Sequence, residues 1–318
     1  MDSKEYEDDA ALVNTERRRL VALAYRMLGT VGEAEDAVQE AFLRWYRLDE
    51  AERADIANPA GWLTRVTSRI CLDMLGTARA RRERYVGQWL PEPVPSAAFA
   101  GTGSADIAAV TSAGLDDPLA RVTLDDSVST ALLIVLEAMT PAERVAFILH
   151  DVFAYPFDDV ADIVGRSPTA LRQPASSARR RIRSQRTHPV DLTEHARVVQ
   201  AFGNACQTGD LTALMTVLDP RVSLRSDGGG AVRAAPNPIE GASKVARFLL
   251  GVLAEQSTVR LEPRTTPDGL ALGWIRDGEV TGVVNVLVDG DLITRVWVQW
   301  NPAKLTCWTR HGTQTSHP

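Results

Sequence analysis

Cysteine is scarce in this chain. Cys71, Cys206 and Cys307 are the three found in 318 residues, odd in number and far apart, so they signal neither a disulfide framework nor a CxxC metal site. No metal and no cofactor is expected. No uninterrupted apolar run is long enough to cross a bilayer, and the first residues (Asp2, Lys4, Glu5, Glu7, Asp8, Asp9) are too polar and acidic for a secretory signal. A cytoplasmic protein without membrane contact, monomeric when free, is expected. No internal repeat is visible, and no acid and base stand at a convincing catalytic spacing, so no catalytic residue is expected. The most telling absence is local. From Arg166 to Arg186 no Asp or Glu occurs, in a chain whose formal net charge is -6.

What fills that stretch is arginine: Arg166, Arg172, Arg179, Arg180, Arg181, Arg183 and Arg186. A cationic patch on an acidic protein suits DNA phosphates and the release of their counterions; a solvated basic helix is the plainer reading. The surrounding pattern favours DNA. Thr140-Pro141-Ala142-Glu143 reads as a capping box with proline at the first helical position, and starts a helix with Val145, Ile148, Leu149 and Val152 inward. After the turn Ala154-Tyr155-Pro156 comes a short amphipathic helix, Phe157 to Val164, closed by Gly165. Ser167-Pro168 then opens the arginine-bearing helix. Short helix, glycine turn, capped basic helix is the layout of a helix-turn-helix.

At 318 residues, with 45% hydrophobic and 24% charged, the chain has room for two or three domains, each with its own core. Residues 12–85 read as all-helical. Leu20, Leu23, Ala24, Met27 and Leu28 form an apolar stripe that stops at Gly29. Thr30 with Glu33 reads as another capping box, starting a helix that turns Ala34, Ala37, Val38, Ala41, Phe42 and Trp45 inward and an acidic face outward. Asn58-Pro59 caps a third helix with Trp62, Leu63, Val66 and Ile70 inward and a second arginine group outside. Residues 86–127, rich in Pro, Gly, Ser, Ala and Asp, read as a flexible linker with little to build a core, and residues 128–187 as the helix-turn-helix domain. From 192 to 310 the pattern changes to α+β: helices around 196–218 and 241–255, then mostly strands. Asp289-Gly290-Asp291 signals a hairpin, and Asp227-Gly228-Gly229-Gly230 reads as the turn between Val222-Leu224 and Ala231-Val232.

These residues together resemble the extracytoplasmic-function sigma factors of RNA polymerase, in the SigJ-like group that carries a fused SnoaL-like C-terminal domain. Gly29-Thr30 with Ala34 to Phe42 is similar to sigma region two. Asn58 to Leu63 and the basic helix after it are similar to the segment that opens the minus-ten element. Thr140 to Arg183 is similar to region four, which reads the minus-thirty-five element. Tyr85 to Pro93, Asp227 to Gly230 and Asn301 to Leu305 are similar to motifs of this particular group. The resemblance implies two all-α sigma domains followed by an α+β cone. Its expected partners are core RNA polymerase, at the clamp and flap regions, and promoter DNA.

Roles then follow residue by residue, as what the resemblance and the chemistry imply. Thr169, Arg172 and Gln173 are expected at base edges of the minus-thirty-five element, and Arg179, Arg180, Arg181 and Arg183 at phosphates. Asn58, Trp62, Arg65, Arg69, Arg79, Arg81 and Arg82 are expected to serve the minus-ten element; Trp62 could stack on a base, although its place on the apolar stripe favours core packing. Glu35, Asp36, Gln39 and Glu40 are expected to face the polymerase. Trp89, Leu90, Pro91, Asp227, Gly228, Gly229, Gly230, Asn301, Pro302 and Lys304 are expected to make interdomain regulatory contacts, with the C-terminal domain as a built-in regulator. Two departures from the group stand out: Pro174 inside the recognition helix, and Ala303 where relatives carry aspartate. In the C-terminal domain Asp227, His195, Asn285, Trp274, Trp297 and Gln299 could line a pocket for an unidentified small ligand. Two other classes stay open: a SnoaL-like isomerase, cyclase or ligand-binding module fused to a DNA-binding region, and a repressor that never touches polymerase.

Overall fold

The computed structural model describes residues 3–82, 85–99, 129–185, 190–256 and 258–309. The chain divides into two compact units. Of the described residues, the first contains 3–81, 99 and 135–181, and the second contains 82, 85–98, 129–134, 182–185, 190–256 and 258–309.

The first unit is helical. Helix α1 (Ser3–Leu28) ends at Gly29, whose φ of 84° is left-handed backbone that costs glycine little. It packs on α2 (Val31–Arg47). Leu20, Leu23, Ala24, Met27 and Leu28 meet a buried stripe of Ala34, Ala37, Val38, Ala41, Phe42 and Trp45, as the spacing predicts. The box expected at Thr30 is not what the two side chains make: Thr30 Oγ1 donates to Glu33 Oε2 at 2.8 Å, side chain to side chain, and the Thr30 side chain caps no backbone N–H. The short α3 (Glu50–Ala54) carries a complete box instead, from Asp49 and Glu52. Asn58 Oδ1 accepts from Gly61 N at 2.9 Å and starts α4 (Pro59–Arg82).

Helix α5 (Thr130–Glu137) begins in the second unit and ends in the first. Helix α6 (Pro141–Phe147) opens with the expected Thr140–Glu143 box, both halves present, and runs on as a π-type turn, Ile148–Val152. Val145, Ile148, Leu149 and Val152 are all buried. The turn that follows places Ala154 at φ 57°, a left-handed backbone that costs a non-glycine residue about 1–2 kcal/mol. Helix α7 (Phe157–Val164) stops at the left-handed Gly165, and α8 (Pro168–Gln185) carries the arginines. The backbone of α8 stays helical through Pro174.

The second unit is α+β, the class its sequence predicts. Helices α9 (Leu192–Thr208), α10 (Leu211–Val217) and α11 (Ala242–Ala254) accompany six strands. These are β1 (Leu218–Asp227), β2 (Ile239–Glu240), β3 (Arg260–Thr266), β4 (Gly269–Arg276), β5 (Glu279–Asp289) and β6 (Leu292–Gln299). The sheet runs β2-β1-β6-β5-β4-β3, with β1 and β6 parallel and every other pair antiparallel. The hairpin at Asp289-Gly290-Asp291 forms as expected, with Asp289 opposite Leu292.

Alternation along the strands separates two faces. One carries Val222, Leu224, Leu272, Trp274, Val284, Val286, Val296 and Val298, buried with Val198, Val199 and Phe202 of α9 and Val245 and Leu249 of α11. The other carries Ala271 and Val283, which pack with Leu305 and with Trp308 of α12 (Thr306–Thr309). Each such aliphatic side chain taken fully out of water contributes about 1.5–3 kcal/mol, so both faces are committed to packing.

Two expectations are corrected here. Residues Ala231-Val232 form no strand; β1 pairs with β2 instead, and Gly228 to Gly230 leads into a turn closed by Val232 N on Gly228 O at 3.0 Å. The start of the expected flexible linker is not core-free either. Leu90 and Val94 are buried within the second unit, and Leu90 bonds Asp227 and Lys304, which lie far along the chain, where local composition could not reveal them.

Candidate functional site

In the first unit the candidate base readers Thr169, Arg172 and Gln173 are exposed in the first two turns of α8, and Arg180 is exposed further along. The Arg172 guanidinium lies 5.7 Å from the centre of the Phe157 ring, a cation–π contact that steadies a long, exposed side chain. The side chains of Arg179, Arg181 and Arg183 fall outside the described residues, as do those of Arg79, Arg81 and Arg82. Arg65 and Arg69 are exposed on α4, and Arg69 Nη2 donates to Asp162 O at 2.9 Å. Asn58 spends its carbonyl oxygen on the helix start. Trp62 is half-buried and meets Trp45 edge-on, ring centres 5.4 Å apart, which is packing rather than an open stacking platform.

On α2, Asp36 and Gln39 are exposed and Glu35 and Glu40 half-buried; Glu40 pairs with Arg44 at 2.9 Å and Glu35 with Arg17 at 3.9 Å. Leu43 and Tyr46, also exposed, continue the same face at helical spacing from Asp36 and Gln39. Sequence reading missed these two because they fall outside the charged run.

The second unit holds a densely bonded polar centre built on Asp227, the last residue of β1, which is fully buried. Its Oδ1 accepts from Tyr85 Oη at 2.6 Å and from Gly229 N at 3.0 Å. Its Oδ2 accepts from Lys304 Nζ at 2.7 Å, Leu90 N at 3.0 Å and Gln299 Nε2 at 3.4 Å. Lys304 Nζ also donates to Leu90 O at 2.6 Å and lies 4.2 Å from the Trp89 ring centre and 5.0 Å from that of Tyr85. Asn301 Nδ2 donates to Tyr85 Oη at 2.8 Å, Gln299 Nε2 to Pro91 O at 3.4 Å, and Trp308 Nε1 to Pro93 O at 2.8 Å. Burial first, then the Asp227 carboxylate, push the Tyr85 phenol above its ordinary range, so it remains a donor. The ion pair does not depend on position 303: Lys304 and Asp227 make it directly.

The glycines here answer to space as well as to backbone. A Cβ on Gly228 would stand 1.9 Å from Val232 O, and one on Gly229 would stand 2.3 Å from the Asn301 side chain. The residues expected at regulatory contacts are therefore largely gathered: Trp89, Leu90, Pro91, Asp227, Gly229, Asn301 and Lys304 interlock, while Gly228 closes the turn. Gly230 and Pro302 are exposed. Tyr85, Gln299 and Trp308 join the centre without having been expected there as contact residues.

The six residues expected to line one pocket do not share one surface. Trp274 is buried on the helix-facing side of the sheet, edge-on to Trp300, with ring centres 5.5 Å apart. Asp227, Asn285, Trp297 and Gln299 lie on the opposite side, since Gln299 pairs with Asp227 and Trp297 with Asn285. His195 is buried on α9; burial lowers its imidazole pKa, opposed by a hydrogen bond to the Val286 backbone. Asn285 meets Asp268 and Thr130 in a separate polar group: Asp268 accepts from Thr130 N at 2.9 Å and Thr130 Oγ1 at 2.6 Å. Burial pushes the Asp268 carboxyl up to about 6 against the Thr130 hydrogen bonds, which favour its charge.

Comparison with known proteins matches residues 12–81 to the Sigma-70 region 2 family and residues 130–182 to the Sigma-70, region 4 family. The chain is 41% identical over 242 residues to the ECF RNA polymerase sigma factor SigJ of Mycobacterium tuberculosis, covering 74% of this chain and 70% of that protein. It is 38% identical over 290 residues to the probable ECF RNA polymerase sigma factor SigI of the same species, covering 91% and 92%. The crystal structure of M. tuberculosis extracytoplasmic function sigma factor SigJ superposes with a TM-score of 0.67 at 32% identity, over 94% of this chain and 98% of that one.

Proposed function

This chain belongs to the extracytoplasmic-function sigma factors of RNA polymerase, and on that premise we propose how its parts divide the work of directing transcription initiation. Thr169, Arg172 and Gln173 read base edges of the minus-thirty-five element, where a bidentate arginine or glutamine contributes about 1–3 kcal/mol of discrimination. Arg179, Arg180, Arg181 and Arg183 hold phosphate. Arg65 and Arg69, with Arg79, Arg81 and Arg82, grip the backbone at the minus-ten element, while Asn58 and Trp62 serve by starting and bracing α4. The α2 face of Glu35, Asp36, Gln39 and Glu40, extended by the apolar Leu43 and Tyr46, docks on the polymerase clamp, and region four meets the flap. Work on core polymerase puts the chain in the cytoplasm. Separately, no helix among the described residues is long and apolar enough to cross a membrane.

The C-terminal unit acts as a built-in regulator, without a chemical step. The observation that carries this reading is the burial of Asp227 and Lys304 around residues 85–94. That segment follows directly on the minus-ten helix, so the regulator holds the chain that links the two DNA-reading parts.

Transcription by core polymerase on promoter DNA, with the full chain and with Asp227→Ala, tests this. Specific transcripts whose yield changes in the variant support both halves. Unchanged yield from the same start sites removes the regulatory half alone.

A further inference from the structure

The second unit also touches the chain where region four begins. Thr130 is the first residue of α5 and lies inside the region four match, yet it counts with the C-terminal unit. Helix α5 is eight residues long, and its first N–H groups have no partner within the helix. Ser129 Oγ accepts one, from Leu132 N at 3.3 Å. The Thr130 N–H goes to a different element altogether: Asp268, in the turn between β3 and β4, which it reaches at 2.9 and 3.2 Å. Thr130 Oγ1 donates to Asp268 Oδ2 at 2.6 Å, and Asn285 Nδ2 reaches both Thr130 Oγ1, at 2.8 Å, and Asp268 Oδ2, at 3.2 Å. Thr130 and Asn285 are both buried.

We propose that Asp268 and Asn285 cap helix α5 from the C-terminal domain, forming a second tether that fixes the start of region four as the Asp227 centre fixes the end of region two. The regulatory consequence rests on the reading above; the cap itself does not. A carboxylate at a helix N-terminus faces the positive end of the helix dipole and accepts donors the helix leaves over. Here the cap is supplied by a residue 138 positions away in sequence, so the first turn of α5 is stable only while the C-terminal domain holds it. Asn285, on β5, completes the cap by bonding the carboxylate and the hydroxyl together, which leaves Thr130 a single seat. The C-terminal domain thereby holds the chain on both sides of residues 99–128.

The experiment is amide hydrogen exchange on the full-length chain, reading residues 130–137 against residues 88–94, which report the Asp227 centre. Removing a cap of this kind speeds exchange by roughly five- to tenfold where opening is local. Asp268→Ala and Thr130→Val are expected to do so at 130–137 and leave 88–94 unchanged, while Thr130→Ser, which keeps the hydroxyl, restores the parental rate. Unchanged exchange at 130–137 in Asp268→Ala overturns the cap, as does equal acceleration in both segments, which marks general loss of the fold. Transcription with core polymerase is measured on the same proteins. Faster exchange with unchanged transcription upholds the cap and removes the regulatory reading.

Discussion

Lys304 Nζ stands 2.7 Å from Asp227 Oδ2 and 4.2 Å from the centre of the Trp89 ring, with both charged side chains out of water. A buried ion pair adds little net stability over an apolar pair, but breaking one half strands the other charge, at about 3–5 kcal/mol. Asp227→Ala and Lys304→Met are each expected to lower the unfolding free energy of the C-terminal unit by that order. The double variant is expected to lose less than the sum, with a coupling of about 1–3 kcal/mol. Urea unfolding followed by tryptophan fluorescence measures all three; strict additivity would show that the pair does not act as a unit.

Arg172 and Arg180 are both exposed on α8, but they sit at different depths along the helix. Arg172→Ala is expected to cost about 1–3 kcal/mol at the preferred promoter and to relax the preference at one base position. Arg180→Ala is expected to weaken all sequences alike and to reduce the slope of log affinity against log salt by about one. Binding titrations of the polymerase complex on promoter variants at several salt concentrations separate the two.

Pro174 is the seventh residue of α8. An interior proline removes one backbone hydrogen bond and costs about 3 kcal/mol relative to a good helix former. Pro174→Leu is expected to raise helicity and to tighten promoter binding. Circular dichroism and the same titrations check this; a variant with lower helicity would mean that α8 needs its proline.

Asp268 binds its proton more tightly in the folded chain, at about 6 against an ordinary 3.8. The part of its contribution to stability that depends on this tighter proton binding is therefore fully present below the ordinary value and lost as pH rises through about 6, while the hydrogen bonds to Thr130 remain. His195, lowered by burial, works in the opposite sense, losing its contribution as pH falls below 6.5. The difference between the parent and Asp268→Asn is the quantity to read: unfolding free energy measured from pH 4 to 7 is expected to show a parental advantage that shrinks as pH rises. A difference that stays flat with pH would exclude the shift.

Much of the fold was legible because its signals are local. The Thr140–Glu143 box, Gly165, the Asp289-Gly290 turn and the buried stripe of α2 each follow from neighbours within four residues. What failed was long-range. Leu90 and Pro93 sit in a proline-rich stretch that reads as linker, yet Leu90 N bonds Asp227 and Pro93 O accepts from Trp308, both more than a hundred positions away. The expected pocket failed for a related reason: side-chain type gathered six polar and aromatic residues, but strand alternation sent Trp274 to one face and Asn285 and Gln299 to the other. Asp268 left no mark in the sequence, since a carboxylate in a Pro-Asp-Gly turn is ordinary until a distant helix start arrives against it. The arginines and the acidic face of α2 were legible as surfaces; the partners proposed for them follow from the family, not from local pattern.

The most direct measurement is initiation itself. Core RNA polymerase, the full-length chain and a library of promoter fragments are combined, and transcript starts are mapped with and without Asp227→Ala. Discrete start sites behind one shared pair of elements are expected, used with altered yield when Asp227 is lost. Transcription no more specific than that of core enzyme alone, in both proteins, would contradict that.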